Sequence, residues 1–149
     1  AVAWRLAAAD MYTAAQKTLS NGKDQPLLQP NSTLDTADVF GAFMFGLFAA
    51  DGPEITHSIH KITDAMRADG GMAPRYVNDA KNPTESAVAT LWLAQYYVEQ
   101  NKLSDARHLL RQAGKNLACE DASENASAVW AHAEYISTLL DMIAHPKED

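Results

Sequence analysis

One cysteine, Cys119, stands in 149 residues, which excludes an intrachain disulfide framework. A lone thiol fits a reducing, cytoplasmic compartment. No apolar run approaches the roughly 18 residues of a membrane span, so a membrane is not an expected partner. Positive charge is sparse: 12 Lys and Arg stand against 19 Asp and Glu, for a net charge of -7. The cations are scattered singly, and this absence of a basic patch argues against nucleic acid. There is no Gly-rich phosphate loop and no nucleophile elbow. His57 and His60 have only Glu54 near them, too few ligands for a metal. No metal and no cofactor is therefore expected. No secretory leader can be read, so the Asn31-Ser32-Thr33 and Asn125-Ala126-Ser127 sequons are taken as chance matches. Ala1 is not an initiator methionine and the chain opens as if mid-helix, so the expectation is a fragment whose upstream half is missing.

What is present is helix. Periodicity near 3.6 residues is widespread and convincing period-two alternation is absent. The pattern predicts an all-α single domain over 1–149 with a frayed tail at 145–149. Six helices are expected, near 2–19, 33–48, 53–68, 85–100, 104–116 and 128–144. Thr33 is a plausible N-cap for the second and Ser104 for the fifth. The second, fourth and sixth are nearly apolar all round, whereas the third and fifth carry charge on one face. A helix apolar on every side is buried on every side, and an amphipathic one lies outside. The connections alternate too: long after helices one, three and five, short after two and four. These alternations predict three inner and three outer helices in antiparallel pairs, about half of an (α/α)6 toroid. The three long loops should then emerge on one end, where function usually sits. A half-toroid also exposes the flanks of its inner helices, which predicts a missing N-terminal half or a partner chain.

Several motifs occur in a fixed order. They are Leu34-Asp35-Thr36-Ala37, Leu47-Phe48-x-x-Asp51-x-Pro53, Gly71-Met72-x-x-Arg75-Tyr76, Asn82-Pro83, Thr90-Leu91-Trp92-Leu93-Ala94 and Trp130-x-His132-Ala133-Glu134-Tyr135. In that order they resemble the C-terminal half of glycoside hydrolase family 15, the glucoamylases, glucodextranases and some trehalases. The resemblance implies an (α/α)6 barrel and inverting hydrolysis of an α-glucoside or oligosaccharide. It places the general base at Glu120, in the acidic loop ahead of the last inner helix. If that loop is gapped differently, Asp121 or Glu124 takes the position. Cys119-Glu120-Asp121 stands where the family usually has Pro-Glu-Gln, and Thr84 follows Asn-Pro where an aromatic is common. The resemblance implies substrate-binding roles for Asp35, Arg75, Tyr76, Trp130 and His132. An inverting glycosidase also needs a general acid roughly 6.5–9.5 Å from the base. The family's acid has no counterpart in these residues, so the chain alone should not hydrolyse anything.

Each candidate has a plainer reading. Glu120 serves any helix N-terminus as a favourable charge worth ~0.3–1 kcal/mol. Arg75 pairs with a carboxylate, Tyr76 packs, Asp35 stabilises the start of its helix, Trp92 and Trp130 are core, and His132 is a buried, hydrogen-bonded histidine. The alternative function is a non-catalytic, tetratricopeptide-like interaction module. Ala94, Tyr97, Ala106, Leu110 and Ala113 have that spacing, but such arrays need several copies. A further alternative is a glycosidase-like domain that only binds carbohydrate.

Overall fold

The computed structural model describes residues 2–19, 27, 33–69, 71–77, 86–117 and 126–145. Among them are six helices: α1 (Val2–Leu19), α2 (Thr36–Met44), α3 (Pro53–Asp69), α4 (Ala87–Glu99), α5 (Leu103–Leu117) and α6 (Ala126–Ala144). The chain is mostly helical, as its periodicity predicts. One feature escapes that expectation. Two short strands, β1 (Leu34–Asp35) and β2 (Tyr76–Val77), pair antiparallel with Leu34 opposite Val77 and Asp35 opposite Tyr76.

The helix ends follow from local chemistry. Asp35, not Thr33, caps α2: its carboxylate accepts from the Ala37 amide at 2.8 Å. The Thr33 position lies before the ladder residues, too early to reach the first helical turn. α2 ends at Met44 rather than 48 because Gly46 takes a left-handed φ of 67°. Its amide then returns to Phe43 O and the Leu47 amide to Ala42 O, the paired bonds of a Schellman cap. α4 is capped by Ser86, whose hydroxyl accepts from the Ala89 amide at 3.2 Å. Asn101 (φ 54°) closes α4 with the same pair of bonds, Asn101 N to Val98 O and Lys102 N to Tyr97 O. α5 then begins at Leu103, one residue before the expected cap.

α4 is the centre of the packing. Ala89 through Tyr96 and Val98 are all buried. The ring of Phe40 on α2 stacks on Trp92 at 5.1 Å, and Phe43 meets Tyr96 edge-on at 5.7 Å. Residue numbers rise together, so α2 and α4 run parallel. On the other flank Trp92 meets Trp130, Gln95 donates to Thr138 Oγ1, and Met142 packs near Val98. α6 is therefore parallel to α4 as well. α5 returns antiparallel: Leu103 and Ala106 sit by Val98, and Leu110 and Ala113 by Leu91. The parallel helices α2, α4 and α6 thus begin at one end of the molecule. Near that end, Thr36 donates its hydroxyl to Pro74 O and its amide to Arg75 O, while the Ala73 amide donates to Thr90 Oγ1. These bonds tie the segment before α4 onto the starts of both helices.

Two expectations are corrected. α6 is apolar all round but not buried all round. Ala131 and Thr138 are buried, whereas Val129, Ile136, Leu140 and Ile143 are more than half exposed, because no described residue covers that flank. α1 does not pack as a full outer layer. It meets the turn after α2 through Tyr12 Oη, which donates to Gly46 O at 2.8 Å, and Gln16 Nε2, which donates to Leu47 O at 2.7 Å. Trp4, Leu6 and Met11 remain exposed.

The cap at Asn101 gives a direct check. A β-branched side chain is disfavoured at positive φ, and glycine is not. Asn101→Val should cost about 1–2 kcal/mol in urea denaturation, and Asn101→Gly should cost nothing. Equal costs for both would remove the cap from the account of why α4 stops.

Candidate functional site

The candidate site grows from the ladder. Asp35 lies at the end of β1 as the cap of α2, and its side chain is 9% exposed. Tyr76 is its ladder partner, so Arg75 arrives one residue earlier, beside the carboxylate. Arg75 Nη2 donates to Asp35 Oδ2 at 3.0 Å, and Arg75 Nε lies 2.8 Å from Oδ1. The Nε–H is bent away from Oδ1, so that second contact is a charge contact rather than a straight hydrogen bond. Together they make a two-point clamp, which holds a guanidinium in orientation as well as position.

Aromatic rings continue the row. The Arg75 guanidinium carbon lies 5.4 Å from the centre of the Tyr76 ring and 5.2 Å from that of Trp92, both within cation–π range. Trp92 then meets Trp130 edge to face at 5.6 Å. Trp130 is 49% exposed, so part of its ring remains open to solvent. Its indole Nε1–H donates to Glu134 Oε1 at 3.0 Å. Glu134 Oε2 accepts from Gln95 Nε2 on α4 at 3.3 Å, and Gln95 is itself buried. One turn along α2 and α4 from Phe40 and Trp92, burial raises the Tyr96 phenol above its ordinary value. Tyr97 and Asp51 add to that shift.

The structure brings together Asp35, the pair Arg75-Tyr76 and Trp130, from three stretches that are far apart in the sequence. Three plainer readings hold as well: Asp35 caps a helix, Arg75 pairs with a carboxylate, and Trp92 is core. Two do not: Trp130 is half exposed rather than core, and His132 is exposed rather than buried. His132 is not part of the row. It sits on another flank of α6 beside Arg111, Lys115 and Tyr135. Glu120, Asp121 and Glu124 lie outside the described residues, as do Cys119 and Asn82-Pro83. Three side chains were missed as site members: Trp92, Gln95 and Glu134. For two of them the sequence carried a signal, because Gln95 and Glu134 are polar residues set in otherwise apolar helices. Among the described residues no cluster of three or more His, Cys, Asp or Glu fits a metal ion, and no helix is long and apolar enough to cross a membrane.

The fold and site define a mostly helical protein with a clamped cation and an aromatic row near the starts of three parallel helices. Comparison of the chain with protein-family models, with characterised proteins and with solved structures finds no match.

Removing Arg75 leaves a nearly buried carboxylate with only its capping bond. Arg75→Ala should therefore cost about 2 kcal/mol. Arg75→Lys should recover less than half of that, because an ammonium lacks the planar fork. Urea denaturation of the two variants decides the matter. A lysine as good as arginine would mean that charge alone, without geometry, holds this corner.

Proposed function

We propose that this chain supplies one side of the sugar pocket, and the general-base carboxylate, of an inverting α-glucosidic hydrolase built on an (α/α)6 ring. The observation that carries the reading is the row Asp35–Arg75–Trp92–Trp130 at the end where three parallel helices begin. A sugar ring presents apolar C–H faces and a rim of hydroxyls. Exposed indole suits the faces, and a guanidinium has five donors, more than one carboxylate uses. The segment that holds Glu120 joins Leu117 to Ala126, the end of α5 to the start of α6. Because α5 returns antiparallel to α4, both of those ends lie on the side of the row.

In this reading Glu120 activates a water on one face of the sugar. A general acid on the other face protonates the leaving oxygen. That acid comes from a neighbouring part of the ring, which would also cover the apolar flanks of α6 and α1. The runner-up, an interaction module, draws on the α4–α5 hairpin, where Ala94, Ala106 and Ala113 are buried. It leaves the Arg75 clamp and the aromatic row without a role.

The natural protein should release glucose from maltooligosaccharides as the β-anomer, or equal amounts of α- and β-glucose from trehalose, seen by proton NMR. Glu120→Gln should lower that turnover by at least ~100-fold with the melting temperature unchanged. Unchanged turnover in this variant would move the base to Asp121 or Glu124. Retained configuration, or neither turnover nor sugar-induced change in tryptophan fluorescence, would overturn the proposal.

A further inference from the structure

In the sequence the cations look scattered, but the helix gathers some of them. Arg107, Arg111 and Lys115 stand four residues apart on the exposed face of α5, where Asp105 is the one acid. This basic stripe belongs to a chain of net charge -7. Its lower half borders an open cleft of about 520 Å³ lined by Arg111, Gly114, Lys115, Leu117, His132 and Tyr135. Neither Arg111 nor Lys115 has an ion-pair partner among the described residues. Lys115, in the last turn, offsets the negative end of the α5 dipole. Arg111, a full turn earlier, is not needed for that, and like charges four apart on a helix repel. Gly114 lets the two helices close up: a Cβ there would lie 3.0 Å from the Tyr135 ring and 3.3 Å from its hydroxyl. The Tyr135 phenol, packed against Gly114, lines the same cleft as the two cations.

We propose that this cleft binds a small dianionic oxyanion, a phosphate group either free or as a monoester. Arg111 meets two of its oxygens through the guanidinium fork, Lys115 supplies a point charge, and the Tyr135 hydroxyl donates to a third oxygen. Gly114 and the apolar side of Leu117 make room for an organic substituent. A small anion fits better than a polymer, because the stripe is short and the acidic remainder of the surface would repel an extended polyanion. The site lies on a different flank of α6 from the Arg75 row and does not depend on the hydrolase reading.

Calorimetry and thermal melting with glucose 6-phosphate, inorganic phosphate and glucose, at ionic strength fixed with sodium chloride, test the site. Glucose 6-phosphate should bind saturably and raise the melting temperature, and glucose should not stabilise through this cleft. The double variant Arg111→Gln, Lys115→Gln should weaken phosphate binding by about tenfold or more. Arg107→Gln, outside the cleft, should change it by less than about twofold. Inorganic phosphate binding as well as the ester assigns free anion as the occupant, and weaker binding assigns the monoester. No saturable binding, or binding unchanged in the double variant, overturns the proposal. So does heparin binding that phosphate does not compete away. Loss of turnover in Glu120→Gln leaves this result untouched, so the two readings fail separately.

Discussion

Asp35 carries a charge into a nearly closed corner, and three neighbouring features depend on how that charge is met. One carboxylate oxygen accepts from the Ala37 amide and so starts α2. Both oxygens face Arg75, which fixes the segment before α4 against the start of α2. Arg75, held there, lies over Trp92, whose other neighbours are Phe40 and Trp130. Helix start, the registry of α2 against the segment before α4, and the aromatic row therefore share one ion pair. A surface pair of this kind contributes little, because water screens it. Here the acid is nearly buried and its hydrogen bonds are directional, so losing either partner leaves a desolvated group uncompensated.

Much of this was legible in the residues. α4 could be placed because LWLAQYYV is apolar on every side, and only a central helix can bury such a surface. The alternation of long and short connections anticipated that α2, α4 and α6 run parallel, since each helix between them must carry the chain back. The antiparallel ladder was not legible: two residues are too few to show a period of two. The start of α2 was misplaced at Thr33 because capping preference alone does not say which of two suitable residues meets the first free amide. The end of α2 was misplaced because Gly46 sits inside an apolar run that otherwise continues to Phe48. The cation stripe of α5 was hidden by reading charges singly along the chain rather than at helical spacing.

The site was legible in part for the same reason. Asp35, Arg75, Tyr76 and Trp130 could be chosen as candidates, but nothing in a linear reading says that Trp92 joins them. Its core role and its site role are two sides of one ring: Phe40 stacks on it while Arg75 lies over it. His132 was grouped with Trp130 because the two are close in sequence. Two residues along a helix turn the side chain through about half the circumference, and it faces Tyr135 and α5 instead. The exposed flank of α6 shows the limit of composition as a guide. Apolarity on all sides says that a surface needs cover, and it does not say that this chain provides it.

The central claim is that Asp35 and Arg75 act as one unit, and a double-mutant cycle measures that directly. Asp35→Asn, Arg75→Gln and the double variant are each unfolded in urea, and the coupling energy is taken from the cycle. The account predicts a coupling of about 1.5–3 kcal/mol, with the double variant more stable than the sum of the single losses implies. Additive losses, with coupling within about 0.5 kcal/mol of zero, would contradict it. The ladder, the helix start and the aromatic row would then stand on packing alone.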